Sequence, residues 1–148
     1  MKKFKFRLQT VLDIKEKKLE EKQLELAKVL TLLDAQKEAL NGMNESYNHY
    51  DQGLLELMTA ETIDVFSINS NKAYLLRLAF DMKMQRQIIE KTEILLREKQ
   101  IEVNLAYQDM KILEKLKEKA EKRHYRHFEE LQVKEIDDIT TSRYCMAS

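Results

Sequence analysis

The chain has 148 residues in which 26 Lys and Arg balance 26 Asp and Glu, yet it contains only 2 Gly, no Pro and no Trp. Globular domains take several per cent each of Gly and Pro for their turns, so there is little loop here, and the abundant Leu, Lys, Glu, Gln, Met and Ala favour long helices. With 35% charged residues, such a chain buries one apolar stripe against another helix and lacks the converging core of most enzymes, which predicts an elongated all-α molecule.

The neutral total conceals a pattern. Residues 1–37 carry ten basic and six acidic side chains, 38–71 six acids and no Lys or Arg, 72–128 fourteen basic and nine acidic, and 129–148 two and five. A single Cys145 excludes an internal disulfide and leaves no framework to read. No apolar run approaches the ~18 residues of a membrane span. The stretch from Phe4 to Leu12 is interrupted by Lys5, Arg7 and Gln9, unlike the core of a signal peptide. A soluble, cytoplasmic protein without direct membrane insertion is expected.

The first predicted helix covers about residues 4–57. Leu12, Leu19, Leu26, Leu33, Leu40, Tyr47 and Leu54 repeat every seventh residue, and Leu8, Lys15, Lys22, Val29, Gln36, Met43 and Tyr50 fill the companion position. A sustained period of 3.5 keeps one seam facing a partner helix and defines a left-handed coiled coil. Lys15, Lys22 and Gln36 weaken the seam but can fix register, while their stems still cover it. Gly42 and Gly53 make the far part of this helix its least stable part. Phe4 and Phe6 precede the seam and need another surface to meet.

About residues 58–71 form the predicted turn, where Thr59, Thr62, Asp64, Ser67, Asn69, Ser70 and Asn71 compete with helical backbone bonds. Ile63, Val65, Phe66 and Ile68 are embedded there and predict a packed tip with a small core of its own. The second helix is expected over about 72–139, followed by a tail at 140–148. Its apolar residues (Leu75, Leu78, Met82, Ile88, Leu95, Ile101, Leu105, Ile112, Leu116, Ala120, Leu131) hold no single heptad, so the stripe drifts around the helix. At 1.5 Å per residue, ~50 residues reach about 75 Å and ~68 about 100 Å, so the second helix overhangs or breaks. Reversal at the turn makes an antiparallel hairpin with an acidic tip and a basic stem and open end.

Catalytic signatures are missing. There is no glycine-rich phosphate loop, GxSxG elbow or HExxH, so no enzyme and no cofactor are expected. His124, His127 and Glu130 share a helix face, but three ligands on one straight helix rarely converge on one ion, and exposed or seam histidines are the better account. The basic run KILEKLKEKAEKRHYR is interleaved with Glu114, Glu118 and Glu121, the pattern of a solvated helix face. A protein partner with an acidic surface fits it better than nucleic acid.

Both ends carry a likeness. The opening FKFRLQTVL, through Phe4, Phe6, Arg7, Leu8, Gln9, Val11 and Leu12, resembles the N-terminal signature of the FliJ family of flagellar type III export proteins. The segment EKLKEKAEKRHYRHFEELQVKEIDDITTSRY resembles that family's C-terminal helix. Lys134, Glu135, Ile136, Asp137 and Asp138 stand at its closing element, with Asp138 in place of the usual Glu.

The resemblance spans the chain and implies one domain, 1–148, folded as a long antiparallel two-helix coiled-coil hairpin similar to the rotor stalk of F-type ATPases. It implies a non-enzymatic component of flagellar export, peripheral to the cytoplasmic membrane at the flagellar base and monomeric in isolation. Its partners would be the export ATPase hexamer, whose pore receives the terminal end and whose assembly it promotes, the export-gate membrane protein, and the export chaperones it escorts. Carried onto this sequence, the ring contact falls at Phe4, Phe6, Arg7, Leu8 and Gln9. Phe4 and Phe6 have the second reading that they seal the open end against the second helix. The gate contact falls in NKAYLLRLAF, at Tyr74, Leu75 and Leu78, where Phe80 adds one apolar residue too many for a single seam. An injectisome stalk would share the hairpin, and a structural spacer would pair in parallel through Leu12 to Leu54.

Overall fold

A computed structural model describes residues 2–148 as two α-helices and no strand, α1 at Gln9–Thr59 and α2 at Val65–Ala147. The fold is an all-α helical hairpin. Its contacts group into two compact units, Lys22–Val103 on the one hand and Met1–Glu21 with Asn104–Ser148 on the other.

In the unit Lys22–Val103 the helices run antiparallel, because partner numbers fall on α2 as they rise on α1: Lys22 meets Glu102, Lys37 meets Glu93, and Tyr50 meets Tyr74. The α1 seam reads as its heptads require, with Val29 and Leu33 buried and Leu26, Gln36, Leu40, Met43, Tyr47 and Leu54 half-buried. Tyr50 is more exposed, its ring 4.5 Å from that of Tyr74.

The stripe on α2 does not drift. Leu75, Leu78, Met82, Ile89 and Thr92 are buried and Gln85, Leu96, Lys99 and Val103 half-buried, which is one unbroken alternation of threes and fours. Ile88, Leu95 and Ile101, expected on the stripe, are exposed instead. Polar or long-stemmed residues occupy several seam positions while isoleucines and leucines sit outside, and this inverts the pattern that hydropathy alone displays.

The turn is shorter than expected. Only residues 60–64 lie between the helices, and of the four residues expected to form a core there Ile63, Val65 and Phe66 are exposed and Ile68 is half-buried on α2. Asp64 explains the early restart of helix. Its Oδ1 accepts from the backbone N–H of Phe66 at 3.1 Å and of Ser67 at 3.4 Å, and its Oδ2 accepts from the Ser67 hydroxyl at 2.7 Å, an N-cap that sets α2 going at Val65. Ser67, Asn69, Ser70 and Asn71 are therefore helical.

In the other unit Leu12 and Leu19 pack where Ala106 and Met110 are buried, and Lys15 pairs with Asp109 at 3.3 Å. Residues 2–8 are not part of α1: helical bonding begins where Leu12 N–H donates to Leu8 O at 2.9 Å, after a turn closed by Gln9 N–H to Phe6 O at 3.2 Å. Helix α2 continues unbroken through the expected tail to Ala147, and from Glu129 onward every residue is exposed.

Candidate functional site

The N-terminal strap, residues 2–8, lies along α2 within the unit Met1–Glu21 with Asn104–Ser148. A run of alternating Lys or Arg and Phe cannot lay one apolar stripe on a helix, but in an extended strand it puts its aromatics on one side. Phe4 and Phe6 are half-buried, and Lys5, Arg7 and Leu8 are exposed. The Phe4 ring sits 5.6 Å from that of His124, tilted by 47°, and a His124 ring nitrogen, Nε2, lies 3.3 Å from the Lys2 carbonyl oxygen.

Phe4 through Leu8 line a shallow groove with Leu116, Lys119, Ala120 and Arg123 of α2. Four cations and no carboxylate border that groove, around an apolar floor. Phe4 and Phe6 lie half-buried along that groove on α2, and Lys5, Arg7 and Leu8 face outward from it. Gln9 turns away from this face, its Nε2 donating to Asp13 Oδ1 at 2.8 Å.

The other expected contact lies in the unit Lys22–Val103, and its residues do not share a surface. Leu75 and Leu78 are 7% and 8% exposed, filling the seam, so a partner cannot reach them while the hairpin is closed. Tyr74 is exposed and leans on Tyr50. Leu76 and Phe80, 75% and 61% exposed, stand at i, i+4 on the outer face of α2 and are the accessible apolar residues of this segment. The exposure of Leu76 was not read from the sequence; the phase of Leu75, Leu78 and Met82, taken as seam, is the signal that places it outward.

The same unit holds a four-charge network across the seam. Lys22 Nζ lies 3.1 Å from Glu102 Oε2 and 3.6 Å from Glu25 Oε2, and Lys99 Nζ lies 3.0 Å and 3.5 Å from Glu25 and Glu102. The hydrogen bond from Lys99 holds the Glu25 carboxyl below its ordinary range, and the bond from Lys22 does the same for Glu102. The same bonds raise both lysines.

Among the described residues no group of His, Cys, Asp or Glu is placed to hold a metal ion, and no helix is long and apolar enough to cross a membrane. His124 is engaged with Phe4 and the Lys2 carbonyl.

The family model for the flagellar FliJ protein matches residues 4–147. No curated protein and no solved structure matches the chain.

Proposed function

The chain belongs to the flagellar FliJ family, which makes it a component of flagellar type III protein export, and from that premise we propose that it is the non-enzymatic central stalk of the export ATPase. Its terminal end enters the pore of the ATPase hexamer, promotes ring assembly and activity, and the hairpin contacts the export gate and escorts export chaperones in the cytoplasm at the flagellar base. The observation that carries this reading is the strap. Phe4 and Phe6 anchor it on α2, and Lys5, Arg7 and Leu8 present a basic, part-apolar face at the open end. A ring lumen receives such a face through charge complementarity and a small apolar contact.

The α1 seam from Leu12 to Leu54 is occupied by α2 of the same chain, which supports a monomeric hairpin over a spacer that pairs in parallel. The ring contact is assigned to Arg7 and Leu8 with Lys5, and Phe4 and Phe6 hold the strap in place. Gate docking is assigned to Tyr74, Leu76 and Phe80, the accessible part of its segment. The test substitutes Arg7→Ala with Leu8→Ala and, separately, Leu76→Ser with Phe80→Ser. The first pair should lower stimulation of the export ATPase without changing gate binding, and the second pair the reverse. Loss of neither activity in either pair contradicts both assignments.

A further inference from the structure

The turn end of the unit Lys22–Val103 displays apolar side chains that the hairpin itself has no means to bury. Leu55 and Met58 stand at i, i+3 on the last turns of α1, outside the seam positions Leu54 and Leu57, and Ile63, Val65 and Phe66 follow across the turn. All five are more than half exposed, Phe66 at 81%. Single exposed apolar residues need no explanation, but five within twelve residues form a patch, and such patches mark interaction surfaces.

Two further features give the patch a definite character. It is held in place, because Asp64 caps α2 through Phe66, Ser67 and the Ser67 hydroxyl, so Val65 and Phe66 ride on a fixed first turn. Fixing a surface before contact lowers the entropy that binding must overcome. It is also charged with one sign: Glu56 and Glu61 are exposed beside it, and residues 38–71 contain no Lys or Arg, whereas Asp51 borders a groove shared with Lys72. The first cation along α2 is Lys72, nearly two turns beyond Phe66.

We propose that this turn is a docking site for an amphipathic helix of a partner protein whose apolar face is flanked by Lys and Arg. Ile63, Val65 and Phe66, with Leu55 and Met58, take the apolar face, and Glu56 and Glu61 pair with the flanking cations. Val65 and Phe66 stand eleven and fourteen residues before Leu76 and Phe80 on one side of α2, so the site borders that outer face at its turn end, and it does not depend on the stalk reading. An anionic lipid surface is disfavoured by the same acids. A helix rather than an extended strand is favoured because the turn offers no unpaired sheet edge for strand addition.

The test uses the full chain and a fluorescent peptide of about 18 residues that alternates Leu and Lys with helical spacing. Two controls carry the same composition in scrambled order, or Glu in place of Lys. Anisotropy at low salt should show binding of the Leu-Lys helix alone, weakening as salt rises. Ile63→Ser with Phe66→Ser should weaken it roughly tenfold, as expected for losing the central contacts. Glu56→Gln with Glu61→Gln should weaken it and flatten its salt dependence. These surface changes should leave the thermal melt in place, and Leu76→Ser with Phe80→Ser should leave peptide binding in place. Equal binding by both turn variants overturns the proposal, as does equal binding of the Leu-Glu helix. A light-scattering mass above monomer that the Ile63→Ser, Phe66→Ser change returns to monomer also overturns it, by making a second copy the occupant.

Discussion

Lys22 and Glu102, eighty positions apart in the sequence, meet at 3.1 Å across the hairpin. Lys22 sits where the heptad asks for an apolar residue, so its ammonium must leave the seam toward a carboxylate, and Lys99 answers it from α2 by reaching Glu25 at 3.0 Å. A slip of one heptad one way sets Lys22 against Leu95, and the other way sets Lys22 against Asp109 but Lys15 against Leu116. Either slip leaves one seam lysine opposite a leucine, so the paired lysines favour the observed register, the best-attested use of polar seam positions.

Charge reversal tests this. Lys22→Glu and Glu102→Lys, made singly, should each lower the melting temperature by several degrees, and the double reversal, which restores that pair but sets position 22 against Glu25 and position 102 against Lys99 with like charge, should recover only part of the loss. Melting curves of the four proteins form the cycle that isolates the pair. Singles and double that simply add would show that the pair carries no coupling.

The network also sets an acid limit. Glu25 and Glu102 are held below the ordinary carboxylate range by their lysine hydrogen bonds. A carboxyl depressed in the folded state contributes stability that is fully present above its unfolded pKa and lost as pH falls through its folded value. Stability at low salt should stay level near neutrality and decline below the ordinary carboxylate range, and Glu25→Gln with Glu102→Gln should flatten that decline. The raised lysines act in the opposite direction, releasing their contribution only above the usual lysine range.

Gln36 Oε1 is buried without a partner among the described residues. The one hydrogen bond that Gln85 Nε2 makes here goes to the Gln36 backbone oxygen at 3.0 Å and survives a change of side chain. Gln36→Leu should raise unfolding stability by about 1 kcal/mol, the usual penalty of an orphaned polar group removed. Urea titration measures it.

Gly42 and Gly53 lie inside α1, and a Cβ built on either meets nothing within 4 Å. Gly42→Ala and Gly53→Ala should each add ~1 kcal/mol and slow amide hydrogen exchange in the second half of α1.

The α1 seam was legible because leucine holds one heptad position from Leu12 to Leu40, although Leu8 and Tyr50, expected on the companion position, are exposed. The α2 seam was not, since Gln85, Thr92, Lys99 and Lys117 sit on it and Ile88, Ile94 and Ile101 sit off it. Side-chain stems bury without registering as hydropathy. The same ambiguity hid that Leu75 and Leu78 fill the seam while Leu76 faces outward. At the turn, Asp64 and Ser67 were read as turn residues when they form a helix cap. The strap was legible as a motif but not as a shape, because nothing local tells Phe4 to lie on His124 across 120 positions.

The central claim is that this chain drives the export ATPase from its open end. The most direct measurement is the rate of the matching flagellar export ATPase, titrated with the intact chain and with a chain lacking residues 2–7, which keeps Leu8 and the buried Leu12. The account predicts stimulation by the intact hairpin and its loss on truncation, with the helical melt of the truncated chain preserved. Equal stimulation by both, or none by the folded intact chain, would contradict it.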